Sequence, residues 1–164
     1  MKIGLFFGSF NPIHIGHKVI ASYLVDFTDL DKVMFVVSPQ NPLKQKISLL
    51  NQCHRLQIIR SEVEDNPKLE VSDIEFTMPK PSYTIDTLVR LKEKYPENNY
   101  SIIMGSDNLQ NFHKWKNYEQ ILEDYSVYVY PRTGYEISGS HKNIHVIEGV
   151  PQMEISSSFI RQSL

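Results

Sequence analysis

The sequence contains a single cysteine, Cys53, among 164 residues, so no disulfide can form within the chain. Long hydrophobic runs are also absent: apolar stretches such as residues 33–37 are too short to cross a bilayer. No basic-then-apolar signal segment opens the chain, because residues 2–7 already have the pattern of a strand. These absences predict a cytoplasmic protein with no membrane partner.

A strong charge of one sign is lacking as well. The 17 Lys and Arg residues nearly balance the 19 Asp and Glu residues, giving a formal net charge of -2. This balance provides no general attraction for nucleic acid, and it makes a small ligand the better expectation. The length of 164 residues fits one domain, residues 1–164, and the 41% of hydrophobic residues is typical of a globular protein.

Strand and helix patterns alternate along the chain. Residues 2–7 and 32–37 are continuous apolar runs typical of buried strands, and residues 14–27 between them have apolar side chains at helical steps. Further helices are predicted at 48–64, 84–95, between 108 and 123 and from about 157, and further strands at 69–71, 100–104, 125–130 and 144–147. The expected fold is α/β: a doubly wound, mostly parallel, Rossmann-like sheet flanked by helices.

The helical spacing also predicts which side chains face the sheet. In the first helix the apolar steps continue to Phe27, and in the second they include Cys53. In the helix at 84–95 they include Val89 together with Ile85. We therefore expect Phe27, Cys53 and Val89 to be buried.

Three polar loops follow predicted strands, at residues 8–17, 38–44 and 105–107. In an open α/β sheet, ligands bind beyond the carboxyl ends of the strands, so these loops are expected to face one crevice. The first loop leads into a helix whose amino end favours phosphate. His14 and His17 lie three residues apart there, on one side of the helix. A surface pair or half of a zinc site is the alternative, although no third ligand stands at a customary spacing.

Two motifs near opposite ends of the chain carry a family resemblance. Residues 8–17 resemble the G-[ST]-F-x-P-x-H-x-G-H signature of the nucleotidylyltransferase superfamily, and their H-I-G-H also matches class I aminoacyl-tRNA synthetases. Residues 155–161 resemble the I-S-S-[ST]-x-[IV]-R motif of the same superfamily. The resemblance implies that ATP is bound by Gly8, Ser9, Phe10, His14, His17, Ile155, Ser156, Ser157, Ser158 and Arg161. It implies catalytic roles for His14, His17, Lys44 and Arg161.

The middle of the chain selects a branch of that superfamily. Residues 82–88 resemble the S-x-T-x-D-T-L segment of the bacterial nicotinate mononucleotide adenylyltransferases, and residues 105–109 with Trp115 resemble their G-x-D-x-[LM] loop and stacking tryptophan. The loops at 39–44 and 131–135 are similar to theirs as well. The mononucleotide-binding residues implied are Asn41, Lys44, Thr84, Asp86, Asp107, Trp115 and Arg132.

The resemblance implies adenylyl transfer from ATP to nicotinate mononucleotide, a step of NAD biosynthesis. Mg²⁺ is expected to arrive with ATP, because no carboxylate cluster suggests a dedicated metal site. Alternatives are the same transfer to nicotinamide mononucleotide or pantetheine phosphate, and a non-catalytic nucleotide sensor. The oligomeric state, including a homo-oligomer, stays open.

The chain departs from the branch at three places. Lys116 follows Trp115 where many members carry a second aromatic, and Leu43 stands before Lys44 where histidine is frequent. Relatives usually continue beyond the second motif, so a truncated helical end and an unusually short member both fit the stop at Leu164. Thr84 could alternatively be no more than a helix cap, and Trp115 a core residue.

Overall fold

The computed structural model describes residues 1–8, 10, 13, 15–39, 52–137 and 141–150. The strands are β1 (Lys2–Gly8), β2 (Lys32–Val37), β3 (Leu69–Ser72), β4 (Asn99–Gly105), β5 (Val127–Tyr130) and β6 (Ile144–Val146). The α-helices are α1 (Ile15–Phe27), α2 (Gln52–Val63), α3 (Thr84–Lys94), α4 (Ser106–Leu109) and α5 (Tyr118–Asp124). Short 3-10 helices at Ile74–Thr77 and Phe112–Lys114 complete this part of the chain.

The strands form one six-stranded sheet in the order β3-β2-β1-β4-β5-β6, and every neighbouring pair is parallel. The predicted doubly wound α/β fold is therefore confirmed. The chain builds outward from β1 to β3, returns to place β4 on the other side of β1, and then builds outward again to β6. The carboxyl ends of β1 and β4 consequently flank the point where the strand order reverses, which is where such sheets bind ligands.

Two apolar layers cover the sheet, one on each face. One core contains Leu24 of α1 and Ile59 of α2 packed on Phe35 of β2. The other contains Leu88 of α3 and Ile121 of α5 packed on the opposite face. Burial on both faces explains why the central strands are continuous apolar runs rather than alternating ones.

Three predicted core positions are wrong. Phe27 is 70% exposed at the last residue of α1, and Cys53 is exposed at the start of α2. Val89 is 45% exposed, whereas Thr87 is fully buried. The inner face of α3 is centred between Leu88 and Leu91, and at about 100° per residue Thr87 falls closer to that centre than Val89 does.

The remaining predicted bounds agree closely with the structure, and β2 has the bounds that were predicted. The start of the predicted helix at 48–64 and the predicted final helix from about 157 lie outside the described residues. Within the described ranges, no helix combines the length and apolar character needed to span a membrane.

Candidate active site

The turn after β1 is built around a buried aromatic ring. Phe10 is 3% exposed and has a positive φ of 47°, a conformation that bulky residues rarely adopt. Gly8 leaves room for this ring, because a Cβ there would lie only 3.1 Å from it. Such backbone strain persists only where the surrounding structure enforces it, and it is concentrated at functional sites.

His17 lies in the first turn of α1 against this ring. The Phe10 and His17 rings meet edge to face with centroids 5.0 Å apart, and Phe6 contacts His17 in the same way at 5.8 Å. These contacts orient the imidazole at the amino end of a 13-residue helix, where the helix dipole favours an anion. The predicted ATP-binding residue Phe10 has its side chain in the core, so only its backbone could reach a nucleotide.

The end of β4 brings a second set of predicted residues together. The backbone N–H of Arg132 donates to the buried hydroxyl of Ser106 at 2.7 Å, which ties the end of β5 to the start of α4. A Cβ on Gly105 would collide with Asp107 Oδ1 and lie 3.1 Å from Arg132 Cγ. Asp107 and Arg132 are thus neighbours across Gly105.

One oxygen of Asp107 stands out among the described residues. Oδ1 is buried and accepts no hydrogen bond there. A buried carboxylate oxygen without a donor is costly, and a hydroxyl or amide of a bound ligand would remove that cost. This oxygen supports the prediction that Asp107 contacts a ligand, which stays a prediction.

Replacing Asp107 by asparagine tests this assignment. We expect the KM for the mononucleotide to rise about ten- to hundredfold, because a hydrogen bond to a charged group contributes about 1.5–3 kcal/mol. Steady-state kinetics with ATP held at saturation measures the change. Asp65→Asn, at an exposed position after α2, is the matched control and should leave KM unchanged. Equal KM values for Asp107→Asn and the control would remove Asp107 from the site.

Lys116 contacts the start of α3, so it links the two remaining segments that contain predicted mononucleotide-binding residues, the one around Trp115 and the one around Thr84 and Asp86. Its Nζ lies 3.5 Å from Asp86 Oδ2 and 4.9 Å from the centre of the Tyr83 ring. Asp86 lies in the first turn of α3, and Lys116 follows Trp115 in the chain. The cation that replaces the second aromatic of many relatives therefore connects the tryptophan loop to the start of α3.

Trp115 and Thr84 are chain neighbours of this ion pair: Trp115 directly precedes Lys116, and Thr84 lies two positions before Asp86. The Trp115 ring is half-buried and packs on Phe112 with centroids 5.0 Å apart, so the alternative of a core role is correct for one part of the ring. Thr84 is the first residue of α3, and the cap position is taken by Tyr83. Thr84 is therefore not the helix cap that sequence reasoning offered as its alternative role.

Several predicted residues lie outside the part of the chain that the structure describes. For the phosphate side these are Ser9, His14, Ile155, Ser156, Ser157, Ser158 and Arg161, and for the loop after β2 they are Asn41 and Lys44. Their assignments stay predictions. Among the described residues, no group of three or more His, Cys, Asp or Glu side chains could hold a metal ion.

Sequence reasoning missed two buried charged residues, Arg55 and Glu75. Arg55 of α2 is fully buried, and its guanidinium donates to the carbonyl of Ser38 at 2.7 Å, just after β2. Glu75 is 4% exposed in the 3-10 helix after β3. Neither residue carried a signal in the sequence, because each is an ordinary charged residue whose partner lies on another element or loop, 7 to 17 positions away.

The Glu75 carboxylate accepts hydrogen bonds from two hydroxyls. Thr87 Oγ1 donates to Oε2 at 2.8 Å, and Ser82 Oγ donates to Oε1 at 3.0 Å. Desolvation raises the pKa of Glu75 above its ordinary value, although both hydroxyls act in the opposite direction. The charged form is therefore less favourable in the folded protein than in the unfolded chain.

This raised pKa predicts a pH-dependent difference between the parent protein and Glu75→Gln. The parent is relatively stable below the ordinary pKa of 4.5 and loses stability as pH rises through the folded-state pKa, whereas glutamine does not titrate. Glu75→Gln should therefore gain in Tm relative to the parent between about pH 4 and about pH 8. Thermal unfolding at both pH values measures this gain. The exposed Glu93→Gln should show no comparable gain, and a constant difference for Glu75→Gln would contradict the assignment.

The fold and this crevice define a nucleotide-binding α/β protein, and comparison with known proteins identifies the class. The family model described as cytidylyltransferase-like matches residues 5–163. A Flavobacterium johnsoniae protein named as a probable nicotinate-nucleotide adenylyltransferase is 54% identical over 168 aligned positions, covering 100% of this chain and 86% of the relative. One of the same name from Cytophaga hutchinsonii is 52% identical over 98% of this chain and 84% of the relative.

The chain belongs to the cytidylyltransferase-like family and, within it, to the nicotinate-nucleotide adenylyltransferases. A solved Plasmodium falciparum nicotinic acid mononucleotide adenylyltransferase complexed with NaAD has the same fold, with a TM-score of 0.80 at 20% identity over 98% of this chain and 82% of its own. A putative nicotinate-nucleotide adenylyltransferase from Vibrio parahaemolyticus gives a TM-score of 0.67 at 26% identity over 80% of this chain and 74% of its own.

Proposed function

We propose that this chain transfers the adenylyl group of ATP to nicotinate mononucleotide, giving nicotinate adenine dinucleotide and pyrophosphate. The observation that carries the proposal is the 54% identity over the whole chain to a relative named for this activity. The geometry supports it, because His17 follows β1 and Asp107 follows β4 at the point where the strand order reverses. One crevice thus has a phosphate side and a mononucleotide side.

The reaction is a direct displacement at phosphorus. A phosphate oxygen of nicotinate mononucleotide attacks the α-phosphorus of ATP, a new P–O bond forms, and the bond to the pyrophosphate leaving group breaks. The protein needs no nucleophile of its own for this step, since positioning and charge stabilisation account for most of the catalysis in such transfers. ATP enters as its magnesium complex, so the metal is part of the substrate.

We assign the phosphate side to His17 and to further residues that only the sequence motifs indicate. His17 donates to the phosphates of ATP from the amino end of α1, where the developing negative charge is stabilised. His14, Lys44 and Arg161, outside the described residues, share this role, together with the hydroxyl and backbone N–H groups of Ser9 and residues 156–158. Cation donors are suited to a triphosphate because their hydrogen bonds to it are charge-assisted.

We assign the mononucleotide side to Asp107, Trp115 and the start of α3. The buried Oδ1 of Asp107 accepts from a ligand hydroxyl or amide. Trp115 offers the exposed part of its ring for stacking on the pyridine. Thr84, Asp86 and Arg132 complete this side, with Asn41 contributing from the loop after β2. We also place the reaction in the cytoplasm, in keeping with the single cysteine of the sequence.

Product analysis with three acceptors tests the proposal. The protein is mixed with ATP, magnesium and either nicotinate mononucleotide, nicotinamide mononucleotide or pantetheine phosphate, and chromatography follows the adenylylated product while a coupled assay follows pyrophosphate. We expect the largest kcat/KM with nicotinate mononucleotide. A larger value with either other acceptor would reassign the substrate, and ATP binding without pyrophosphate release from any of them would identify a sensor.

A further inference from the structure

We infer that Glu75 is a positioning residue for the mononucleotide side of the active site, fixing the segment Ser82–Thr87 through the hydroxyls of its first and last residues. The inference rests on the proposed function, because that segment contains Thr84 and Asp86, which we assign to the mononucleotide. Glu75 itself belongs to another part of the chain, the 3-10 helix Ile74–Thr77 that follows β3.

The two hydrogen bonds hold the segment at both ends. Ser82 precedes the helix, Thr87 lies within its first turns, and their hydroxyls donate to different oxygens of one carboxylate, at 3.0 and 2.8 Å. Thr87 is fully buried, so its hydroxyl must find its partner inside the protein. A single side chain therefore sets both where α3 begins and how its first turn is oriented.

Ile85 anchors the first turn of α3 in the apolar core, but among the described residues this turn has little other polar side-chain support. Tyr83 occupies the cap position and makes no side-chain cap hydrogen bond. The ion pair of Asp86 with Lys116 lies on the exposed surface, where such pairs contribute little. Glu75 consequently supplies the buried polar contacts that fix Thr84 relative to the sheet.

The burial of Glu75 has a cost that a purely structural residue would avoid. Among the described residues no ion pair includes this carboxylate, which desolvation makes harder to ionise. An apolar side chain of similar volume at a buried site is often as stable or more stable. An apolar side chain could not accept hydrogen bonds, whereas the Glu75 carboxylate accepts one from Ser82 and one from Thr87, at the two ends of the segment Ser82–Thr87.

Kinetics of two Glu75 variants test this role. Glu75→Ala removes both acceptors and should raise the KM for nicotinate mononucleotide about tenfold or more, because small displacements of a positioning group are costly, with the KM for ATP within about twofold of the parent. Glu75→Gln should restore the parent value within about twofold, since its amide can donate to a hydroxyl oxygen and Thr87 can turn its proton to the Tyr83 carbonyl at 3.3 Å.

Two further variants accompany these: one controls for a loss of stability, and the other removes the same hydrogen bonds from the donor side. Val63→Ala truncates a buried side chain at the last residue of α2, on the opposite face of the sheet, and should lower Tm without changing the ratio of the two KM values. The double variant Ser82→Ala, Thr87→Val deletes the two donors and keeps Glu75, and it should reproduce the selective rise in KM even if Glu75→Ala does not fold.

The outcomes separate this inference from the proposed function. If the parent forms no dinucleotide, the proposed function fails. If the parent is active and the double variant keeps its parent KM for nicotinate mononucleotide, or loses affinity for ATP equally, Glu75 is only a structural residue. A rise in the mononucleotide KM that glutamine does not rescue would also overturn the positioning role, because it would require the charge rather than the hydrogen bonds.

Discussion

Replacing His17 by alanine is expected to lower kcat about 10²- to 10³-fold, the effect of deleting one preorganised donor to a developing anion. The imidazole is held edge-on by Phe10 and Phe6 at the amino end of α1, so its orientation is fixed before substrate binds. The loss should fall mainly on kcat, since the donor acts on charge that develops during the transfer. Pyrophosphate release under saturating ATP and nicotinate mononucleotide measures it.

The fold should survive this change. The lost aromatic contacts of His17 correspond to about 1 kcal/mol, which thermal unfolding would register as a small shift. His54→Ala is the matched control, because His54 also lies in the first turn of a helix but is exposed on α2. Turnover of His17→Ala equal to that of His54→Ala would exclude His17 from the reaction.

Replacing Phe35 by alanine is expected to destabilise the protein by about 3–5 kcal/mol, the usual cost of deleting a buried phenyl ring. Phe35 is fully buried on β2 and contacts both Phe6, at 5.6 Å between ring centroids, and Phe10, at 5.3 Å. A decrease of roughly 10 °C in Tm should accompany this loss in a chain of this size. Urea unfolding monitored by circular dichroism measures the free energy of unfolding.

Phe35→Ala should also lower the activity of the enzyme. Phe10 packs on both Phe35 and His17, so a cavity beneath Phe10 releases the ring that orients the imidazole. Below the unfolding temperature, the kcat of Phe35→Ala should therefore also decrease. Phe27→Ala is the matched control, because Phe27 is 70% exposed and contacts the Tyr23 ring on its own helix. Its loss should lower the free energy of unfolding by no more than about 1 kcal/mol and leave kcat unchanged. Destabilisation of Phe35→Ala below about 1 kcal/mol would contradict the packing described.

The order and type of the elements could be predicted from local patterns. The run of apolar residues at 32–37 is long enough for a strand, too short for a typical helix and bounded by turn residues, and β2 has those bounds. Alternation of such runs with helical periods implied a parallel sheet, because parallel strands need a crossover helix. Local spacing was less reliable for burial, as the exposed Val89 and buried Thr87 show, since burial depends on where the helix meets the sheet.

For the candidate site, too, the motifs could be predicted from the sequence, whereas the contacts between separate elements could not. Its motifs are short and continuous, so residue types and spacing alone indicated a phosphate-binding turn before α1 and a polar turn after β4. The contact of Lys116 with Asp86, 30 positions apart, could not be predicted, because each residue by itself is an ordinary surface charge. The same is true of Glu75 and Thr87, which lie 12 positions apart on different elements.

The sequence by itself determined the fold class, the family resemblance and the identity of the polar loops that follow the strands, because these depend on local periodicity and on contiguous motifs. Only the tertiary structure decided that Phe10 supports His17 from the core, that Asp107 Oδ1 is buried without a donor in the described part of the chain, and that Glu75 holds the start of α3. Those properties depend on which side chains, separated in the sequence, are buried next to one another, and that is decided by the packing of the helices on the sheet.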